Sequence, residues 1–286
     1  MKFKKVTILS SVFLLFLILI TVLIAYKYVG PGAEDIKSCK NFISKLQSIN
    51  AIDVKIKVND AKYKRDNRIT SQNDLVEKSV VSEEYALDLD KNNNVIGFIK
   101  KDIPKANEIK IELDEAKKLS KKYLTNIYSE DIVLKSVQLN NDENNLPYYS
   151  FIYTRVKDGY PFYFDEIKLN IDKQNGMLDG YSNSTMQREC KEAKINISEK
   201  EAEEYGKAFF LKYNNDGVVQ AGTSLVYADN KIEEKVGTIS ELCYMVIITG
   251  KDIDSNEIRW KIFVSSEDGS IVNSLKDGTE KKVKTQ

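Results

Sequence analysis

The chain of 286 residues contains no histidine. This absence excludes catalysis by Ser-His-Asp or Cys-His groups, and it excludes every zinc or haem site that depends on a histidine ligand. It also removes the side chain that most often senses pH near neutrality. Since no other catalytic or metal-binding constellation is found in the sequence, we expect a protein that is not an enzyme and that holds no cofactor and no metal.

Cysteine is scarce, and its placement gives no sign of a metal site. The three cysteines, Cys39, Cys190 and Cys243, have no metal-binding spacing, and an odd number cannot pair completely. Cys39 falls on an apolar helical stripe and Cys243 in an apolar strand, so both are expected to be buried. Cys190 lies in a polar segment, where a disulfide in an oxidising exterior stays an open alternative.

Net charge is absent as well, since 43 basic residues balance 43 acidic ones. Nucleic-acid binding requires a basic patch, so nucleic acid is not an expected partner. The last lysines, Lys281, Lys282 and Lys284, are expected to belong to a disordered basic tail over residues 279–286.

What the chain does have is one long apolar run, over residues 6–26, that carries no charge. As a helix it would be about 30 Å long, which matches the hydrocarbon core of a bilayer. Lys2, Lys4 and Lys5 precede it, and basic residues stay on the cytoplasmic side. We predict that residues 1–28 form a cytoplasmic stub and a single-pass anchor in the cell membrane, with the bulk of the chain extracytoplasmic. A cleaved signal peptide is the alternative, but its apolar run would be shorter.

The rest of the sequence repeats a pattern of one helix followed by antiparallel strands. Apolar residues at three- and four-residue spacing predict helices near residues 33–48, 111–128 and 197–213. Ser198, with Glu201 three residues later, predicts a capping box at the start of the third helix.

We predict an α+β fold in which the anchor is followed by tandem units, each with one helix packed on a small antiparallel sheet. The predicted units cover residues 29–105, 106–190 and 191–278, and the first is the most divergent.

Turn residues mark the hairpins of these units. Alignment of the last two units places Gly176 on Gly269, and Asn94 falls in the same slot of the first unit. This slot is expected to need a positive φ, which glycine and asparagine tolerate best. Gly159 and Pro161 mark a further tight turn.

Two motifs carry a resemblance to a known family. The first is a helix start of the form I-S-x-x-x-A, at Ile197, Ser198 and Ala202. The second is a strand, a turn and a strand, with Gly159, Pro161, Asp172, Gly176 and Tyr181 at the motif positions and Asn175 where threonine is usual. The chain resembles the PepSY and YcdB/YcdC-like repeat domains of bacterial exported proteins, more clearly over residues 106–278 than over 33–100.

The resemblance implies a protein without catalysis that binds another protein. Such domains serve as protease inhibitors, as propeptide-like chaperones and as accessory partners of wall or germination enzymes. The chain is also similar to the YpeB germination proteins and to the YycI/YycH regulators, which restrain a membrane sensor kinase.

An aromatic-rich hairpin offers a candidate binding face. Its aromatic residues are Tyr148, Tyr149, Phe151, Tyr153, Tyr160, Phe162, Tyr163 and Phe164. Alternation in a strand puts one set inside, and an exposed row of rings is costly unless it is covered or used. Ordinary core packing explains the pattern, and a peptide- or glycan-contacting face formed by Tyr149, Tyr153, Tyr160 and Tyr163 is the functional alternative.

Acidic residues give no convincing site. Residues 88–94 have D-x-D-x-N-x-N spacing, but the glycine and glutamate of a calcium loop are missing, which favours a polar hairpin tip. Asp165 and Glu166 are adjacent on a strand and point to opposite faces, so they cannot converge as acid and base.

These observations favour a membrane-anchored, extracytoplasmic interaction protein that binds and restrains or stabilises another exported or membrane protein. A sensor kinase, a wall lytic enzyme or a protease would be such a partner, and the lipid bilayer is a second partner through residues 6–26. The alternatives are a module that binds cell-wall peptide or glycan and, remotely, a hydrolase.

Overall fold

The computed structural model describes residues 17–23, 33–53, 58, 63–66, 75–101, 109–138, 146–186, 188–230 and 239–277. The chain divides into two compact units. The first unit comprises Met1–Ser129, Val137–Phe151 and Lys168–Ser184, and the second comprises Glu130–Ser136, Ile152–Ile167 and Thr185–Gln286. Helices and mostly antiparallel strands occur in both units, so the predicted α+β class is confirmed.

Three helices and fifteen strands are formed by the described residues, besides the helical residues 17–23. The helices are α1 (Ala33–Ser48), α2 (Leu113–Ile127) and α3 (Glu199–Phe210). The strands are β1 (Lys64–Asp66), β2 (Lys78–Val81), β3 (Tyr85–Leu89), β4 (Val95–Lys100), β5 (Ile132–Gln138), β6 (Tyr148–Lys157), β7 (Tyr160–Pro161), β8 (Ile167–Asp172), β9 (Leu178–Asn183), β10 (Glu189–Cys190), β11 (Asn215–Val219), β12 (Ser224–Asp229), β13 (Ile239–Lys251), β14 (Glu257–Ser265) and β15 (Ile271–Asp277).

Nine strands form one sheet in the order β1-β2-β3-β4-β9-β8-β6-β5, with β7 paired to β6. The β4–β9 pair is antiparallel and sets Phe98 opposite Tyr181. These two strands come from different predicted units, residues 29–105 and residues 106–190. Tandem units with a sheet each are therefore not confirmed, because hydrogen bonding between β4 and β9 joins their strands in one sheet.

Helix α1 packs its apolar stripe against the sheet of the first unit. Cys39 and Leu46 are fully buried, as the periodicity predicts. The ring of Phe42 lies 6.1 Å from that of Phe98 and 5.8 Å from that of Tyr181, measured between centroids. Burial raises the pKa of the Cys39 thiol to about 12, so this thiol behaves as a small apolar side chain.

The second unit contains a six-stranded sheet, ordered β10-β13-β14-β15, with β11 and β12 both paired to β13. Helix α3 begins with the predicted capping box. The N–H of Glu201 donates to Ser198 Oγ at 3.3 Å, and the N–H of Ser198 donates to Glu201 Oε2 at 2.7 Å. The local sequence therefore fixes where this helix starts.

Three apolar clusters stabilise the second unit. One lies between α3 and the sheet and includes Ala202 and Phe210, and a smaller one is formed by Phe162, Tyr227 and Leu242. The remaining cluster is built from Val226, Ala228, Cys243, Phe263 and Val272. Cys243 is fully buried, as predicted, and none of the three cysteines forms a disulfide.

None of the helices within the described residues is long and apolar enough to cross a membrane. Residues 17–23 of the predicted anchor are helical and exposed. Residues 6–16 and 24–26 lie outside the described residues, as does the predicted basic tail over 279–286.

Helices α2 and α3 are tied to a turn of their own unit by equivalent hydrogen bonds. The N–H groups of residues 110–111 both donate to the carbonyl of Lys173, at 2.9 Å each. In the second unit the N–H groups of residues 196–197 donate to the carbonyl of Ser266, at 2.8 and 3.2 Å. Each pair of bonds fixes the approach of its helix to the turn.

A glycine closes each of these turns beneath the helix. Gly176 has a φ of +72° and Gly269 a φ of +76°, so both have the positive φ that the alignment predicts. A Cβ on Gly176 would lie 2.7 Å from Leu119 Cδ1 of α2, and one on Gly269 would lie 2.6 Å from Tyr205 Cε2 of α3. A side chain at either glycine would therefore have to displace the helix side chain that covers it.

Candidate functional site on the sheet of the first unit

The four tyrosines predicted to form a binding face have different environments. Tyr153 is only 2% exposed, because β6 carries it into the interior, so its place in an exposed face is wrong. Tyr149 belongs to the first unit, whereas Tyr160 and Tyr163 belong to the second. These three side chains are half-buried, and a binding role for them stays a prediction.

Tyr163 contributes to the apolar interior of the second unit. Its ring centroid lies 4.8 Å from that of Phe263 and 5.1 Å from that of Phe164. The Nζ atoms of Lys135 and Lys261 lie 5.1 and 5.9 Å from the same centroid. A ring held between two aromatic rings and two ammonium groups stabilises the unit through packing and cation–π contacts.

The predicted turn residues lie in turns, but in one turn the positive φ falls on the residue next to the predicted one. Gly159 has a φ of +84°, and Pro161 pairs with Val156 as part of β7. In the first hairpin the positive φ of +63° belongs to Asn93 and not to Asn94, so that assignment is wrong by one residue.

The carboxylate of Asp90 explains why the positive φ falls on Asn93. Its Oδ1 accepts the N–H groups of Asn92 and Asn94 at 2.9 and 2.8 Å, and its Oδ2 accepts from the amide of Asn94 at 2.9 Å. Asn94 is therefore held by its side chain, and the residue before it reverses the chain. In the described part of the chain, no group of three or more histidine, cysteine or acidic residues is placed to hold a metal ion.

A buried ionic network in the second unit is a structural feature that sequence reasoning missed. Arg155 Nε donates to Asp165 Oδ2 at 2.5 Å, and Arg188 Nη1 donates to Asp165 Oδ1 at 2.6 Å. Arg188 Nη2 also lies 3.2 Å from Asp229 Oδ2. The side chains of Asp165 and Arg188 are 0% and 1% exposed, so this network is not open to a ligand. Arg188 lies two residues before Cys190, in the segment whose sequence is polar.

The first unit offers a different kind of site, a groove of about 270 Å³ on its sheet. Phe98 and Tyr181 face α1, and side chains alternate along a strand. Their neighbours Gly97 and Gly180 therefore face away from α1, and both line the groove. The groove lies on the sheet face opposite to the helix.

The two glycines form the floor of this groove. Gly97 stands opposite Asp88 on one side and Ser182 on the other, and Gly180 stands opposite Ile99. A Cβ on Gly97 would lie 2.9 Å from Cβ of Asp88, so the neighbouring side chain already occupies that space. At these two positions the floor of the groove is backbone, and the side chains of Asp88 and Asn170 lie against it.

The rim of the groove combines opposite charges with an exposed apolar side chain. Asp88 and Lys168 both line it, and the Asp88 carboxylate is oriented by a hydrogen bond of 2.5 Å from Ser79 Oγ. Ile99 is 49% exposed there. Pockets that bury a drug-sized molecule are usually about 300–1,000 Å³, so this groove is smaller than most of them.

The sequence contains a signal for this site in two glycines. Gly97 and Gly180 lie inside the strands VIGFIK and LDGYSN. An interior glycine weakens a strand, and it commonly marks a place where another backbone or a ligand approaches closely.

Residues 80–185 match the sequence model of the YcdB, YcdC repeated domain. The resemblance predicted for this part of the chain is therefore confirmed. Comparison with curated proteins gives no match. Among solved structures, the chain is similar to the Bacillus megaterium YpeB C-terminal domain, with 17% identity and a TM-score of 0.47, over 82% of this chain and 96% of that chain.

Proposed function

We propose that this protein is a membrane-anchored, extracytoplasmic regulatory protein that binds another exported or membrane protein and does so without catalysis. The groove on the sheet of the first unit is the proposed contact for that partner. Asp88 and Lys168 would pair with charged side chains of the partner, and Ile99 would contact an apolar one.

The observation that carries the proposal is the glycine floor. Gly97 and Gly180 lie diagonally across the β4–β9 pair and line the groove with backbone on the sheet face away from α1. The match to the YcdB, YcdC repeated domain covers the whole of this floor and much of the rim. Residues 80–185 include both glycines and the rim residues Asp88, Ile99 and Lys168.

The apolar run over residues 6–26 supports the proposed location. Its length and the lysines before it favour a single-pass anchor with the groove outside the cell membrane. A reporter enzyme that is active only outside the membrane, fused after residue 286, should be active in this orientation. A reporter that is active only in the cytoplasm should be inactive there.

Site-specific photo-crosslinking in whole cells tests the binding role. A photoreactive amino acid is placed at Ile99 or at Ser182, both on the groove side of the sheet. The control position is Val133 of β5, which is 45% exposed and does not line the groove. We expect the two groove probes to capture the same membrane or exported protein and the control probe to capture none of it.

A groove-filling variant then separates specific from incidental contact. Ser182→Trp should abolish capture from position 99, whereas Val133→Trp should leave it unchanged. Equal capture at all three positions would contradict the proposal. Capture of wall peptide or glycan alone would support the alternative binding module, and hydrolysis of wall material by the purified protein would overturn the assignment as a non-enzyme.

A further inference from the structure

A buried carboxylate of the first unit stands where the second unit has an apolar side chain. The N–H of Asp172 donates to the carbonyl of Met177 at 2.9 Å, and the N–H of Ser265 donates to the carbonyl of Ser270 at 2.8 Å. The two turns therefore correspond, with residue numbers that differ by 93. By the same difference, Asp179 corresponds to Val272.

Both of these side chains are buried, but only one of them is suited to burial. Asp179 and Val272 are each 1% exposed. Val272 belongs to an apolar cluster of its unit. Neither carboxylate oxygen of Asp179 accepts a hydrogen bond in the described part of the chain. Since valine serves this place in the second unit, the fold does not require a carboxylate there.

Asp172, at the end of β8, has a second incompletely satisfied carboxylate. Its Oδ1 accepts the N–H groups of Gln174 and Asn175 at 2.6 and 3.0 Å. Its Oδ2 has no hydrogen-bond partner among the described residues, and Asp172 is 1% exposed. Within the part of the chain that the structure describes, three buried carboxylate oxygens on neighbouring strands thus have no donor.

The charged groups that act on Asp179 are Asp172 on β8 and Lys100 at the end of β4. Burial, and after it the charge of Asp172, raises the pKa of Asp179 to about 7, whereas Lys100 acts in the opposite direction. Two ionised carboxylates in one dry site are costly, and a proton on one of them removes a charge and supplies a donor.

We propose that Asp179, beside Asp172 on the neighbouring strand, is a buried proton-binding site. It releases its proton as the surroundings change from weakly acidic to weakly alkaline. Asp179 directly precedes Gly180, so Asp179 lies one residue along β9 from the floor of the groove.

The sign of the effect on stability follows from linkage. The ordinary pKa of the Asp179 side chain is 3.8 and its pKa in the folded chain is about 7. Between these values the folded chain binds more protons than the unfolded chain does. The free energy of unfolding therefore falls as the pH rises from about 4 through about 7, and the loss is complete above that.

Unfolding of the full chain by urea, in detergent micelles and at pH 5 to 8, tests the proposal. The wild type should lose stability as the pH rises. Asp179→Asn mimics the protonated acid, so it should be flat over this range and more stable than the wild type, by a margin that grows from pH 5 to about pH 7 and then levels off. Asp179→Val, which copies Val272, should also be flat. Asp131→Asn, at an exposed position, is the control and should follow the wild type.

Carbon-13 NMR of labelled aspartate side chains, assigned by the loss of one signal in Asp179→Asn, reports the proton directly. We expect a midpoint near pH 7 for Asp179 and a lower one in Asp172→Asn. A midpoint below pH 5 in the wild type, or parallel urea profiles for the wild type and Asp179→Asn, would overturn the proposal. Stabilisation of the wild type at pH 8 by calcium, lost in Asp179→Asn, would overturn it in favour of a cation.

Discussion

The junction between α2 and the β8–β9 turn and the junction between α3 and the β14–β15 turn use the same contacts, although the side chains that make them differ. Leu119 covers Gly176 in the first, and Tyr205 covers Gly269 in the second. In both, the residues just before the helix donate to a carbonyl of the turn. The two junctions share the backbone hydrogen bonds between helix and turn and the close approach of a helix side chain to the turn glycine.

The difference between the junctions is as informative as the likeness. The buried place that holds Val272 in one holds Asp179 in the other, with both oxygens unpaired in the described residues. The shared contacts are therefore what the junction needs, and the side chain at this place is free to serve another purpose. Four sets of substitutions test how far the two units are equivalent.

The largest effect is expected from Val272→Asp. This change places an ionised carboxylate in the apolar cluster of the second unit, with no partner provided, and should lower the free energy of unfolding at pH 8 by about 3 kcal/mol or more. Val272→Ala is the control and should lower the free energy of unfolding by a smaller amount. If urea unfolding gives the same loss of free energy of unfolding for both variants, a carboxylate is tolerated at this position. The difference between Val272 and Asp179 would then have no energetic consequence.

The next effect concerns the turn glycines. Gly176→Val and Gly269→Val should each lower the free energy of unfolding by about 2 kcal/mol or more, since each adds strain at positive φ to a collision with the helix. Gly159→Val is the control, because φ is +84° there and no atom lies within 4 Å of its Cβ position; about 1 kcal/mol is expected. An equal fall in melting temperature for all three variants would show that the helix contact contributes nothing to the loss of stability.

A smaller effect is expected from exchanging the helix caps. Ser198 caps α3, whereas the equivalent Glu112 makes no side-chain cap on α2. Ser198→Ala should cost about 1 kcal/mol, and Glu112→Ser should stabilise α2 by a similar or smaller amount, because Glu115 already stands three residues later. Thermal unfolding measures both. No gain from Glu112→Ser would mean that the two helix starts are not equivalent.

The smallest effect concerns a hairpin turn that both units contain. Asp90 with Asn94 and Asp252 with Asn256 form the same bonds, and the reversing residues Asn93 and Ser255 have φ of +63° and +65°. Ser255→Gly should stabilise by about 0.5 kcal/mol.

Asn93→Gly should gain less than Ser255→Gly, since it also loses a 2.9 Å hydrogen bond from Lys78. Chemical unfolding of the two variants in parallel makes the comparison. A larger gain for Asn93→Gly would contradict a role for Lys78.

Local patterns in the sequence predicted much of the secondary structure. The stripe of Cys39, Phe42 and Leu46 predicted α1 with its observed bounds, and the spacing of Ser198 and Glu201 predicted the start of α3. These predictions succeeded because helix periodicity and capping depend on residues three or four positions apart.

The features that failed to be predicted depend on residues far apart in the chain. Asp165 and Arg188 are 23 residues apart, and neither pattern nor composition pairs them. Tyr153 was placed on an exposed face because strand alternation does not say which set of side chains is covered. The pairing of β4 with β9, which creates the groove between Gly97 and Gly180, is likewise a matter of topology.

The network of Arg155, Asp165, Arg188 and Asp229 has a consequence for how the second unit reaches its native state. Each of these charges is buried, and each is satisfied only when segments distant in sequence are all in their native register. A strand paired one residue out of register would leave a charge without its counterpart, at a cost of several kcal/mol. We expect the network to destabilise sheets with the wrong register more than it stabilises the native sheet.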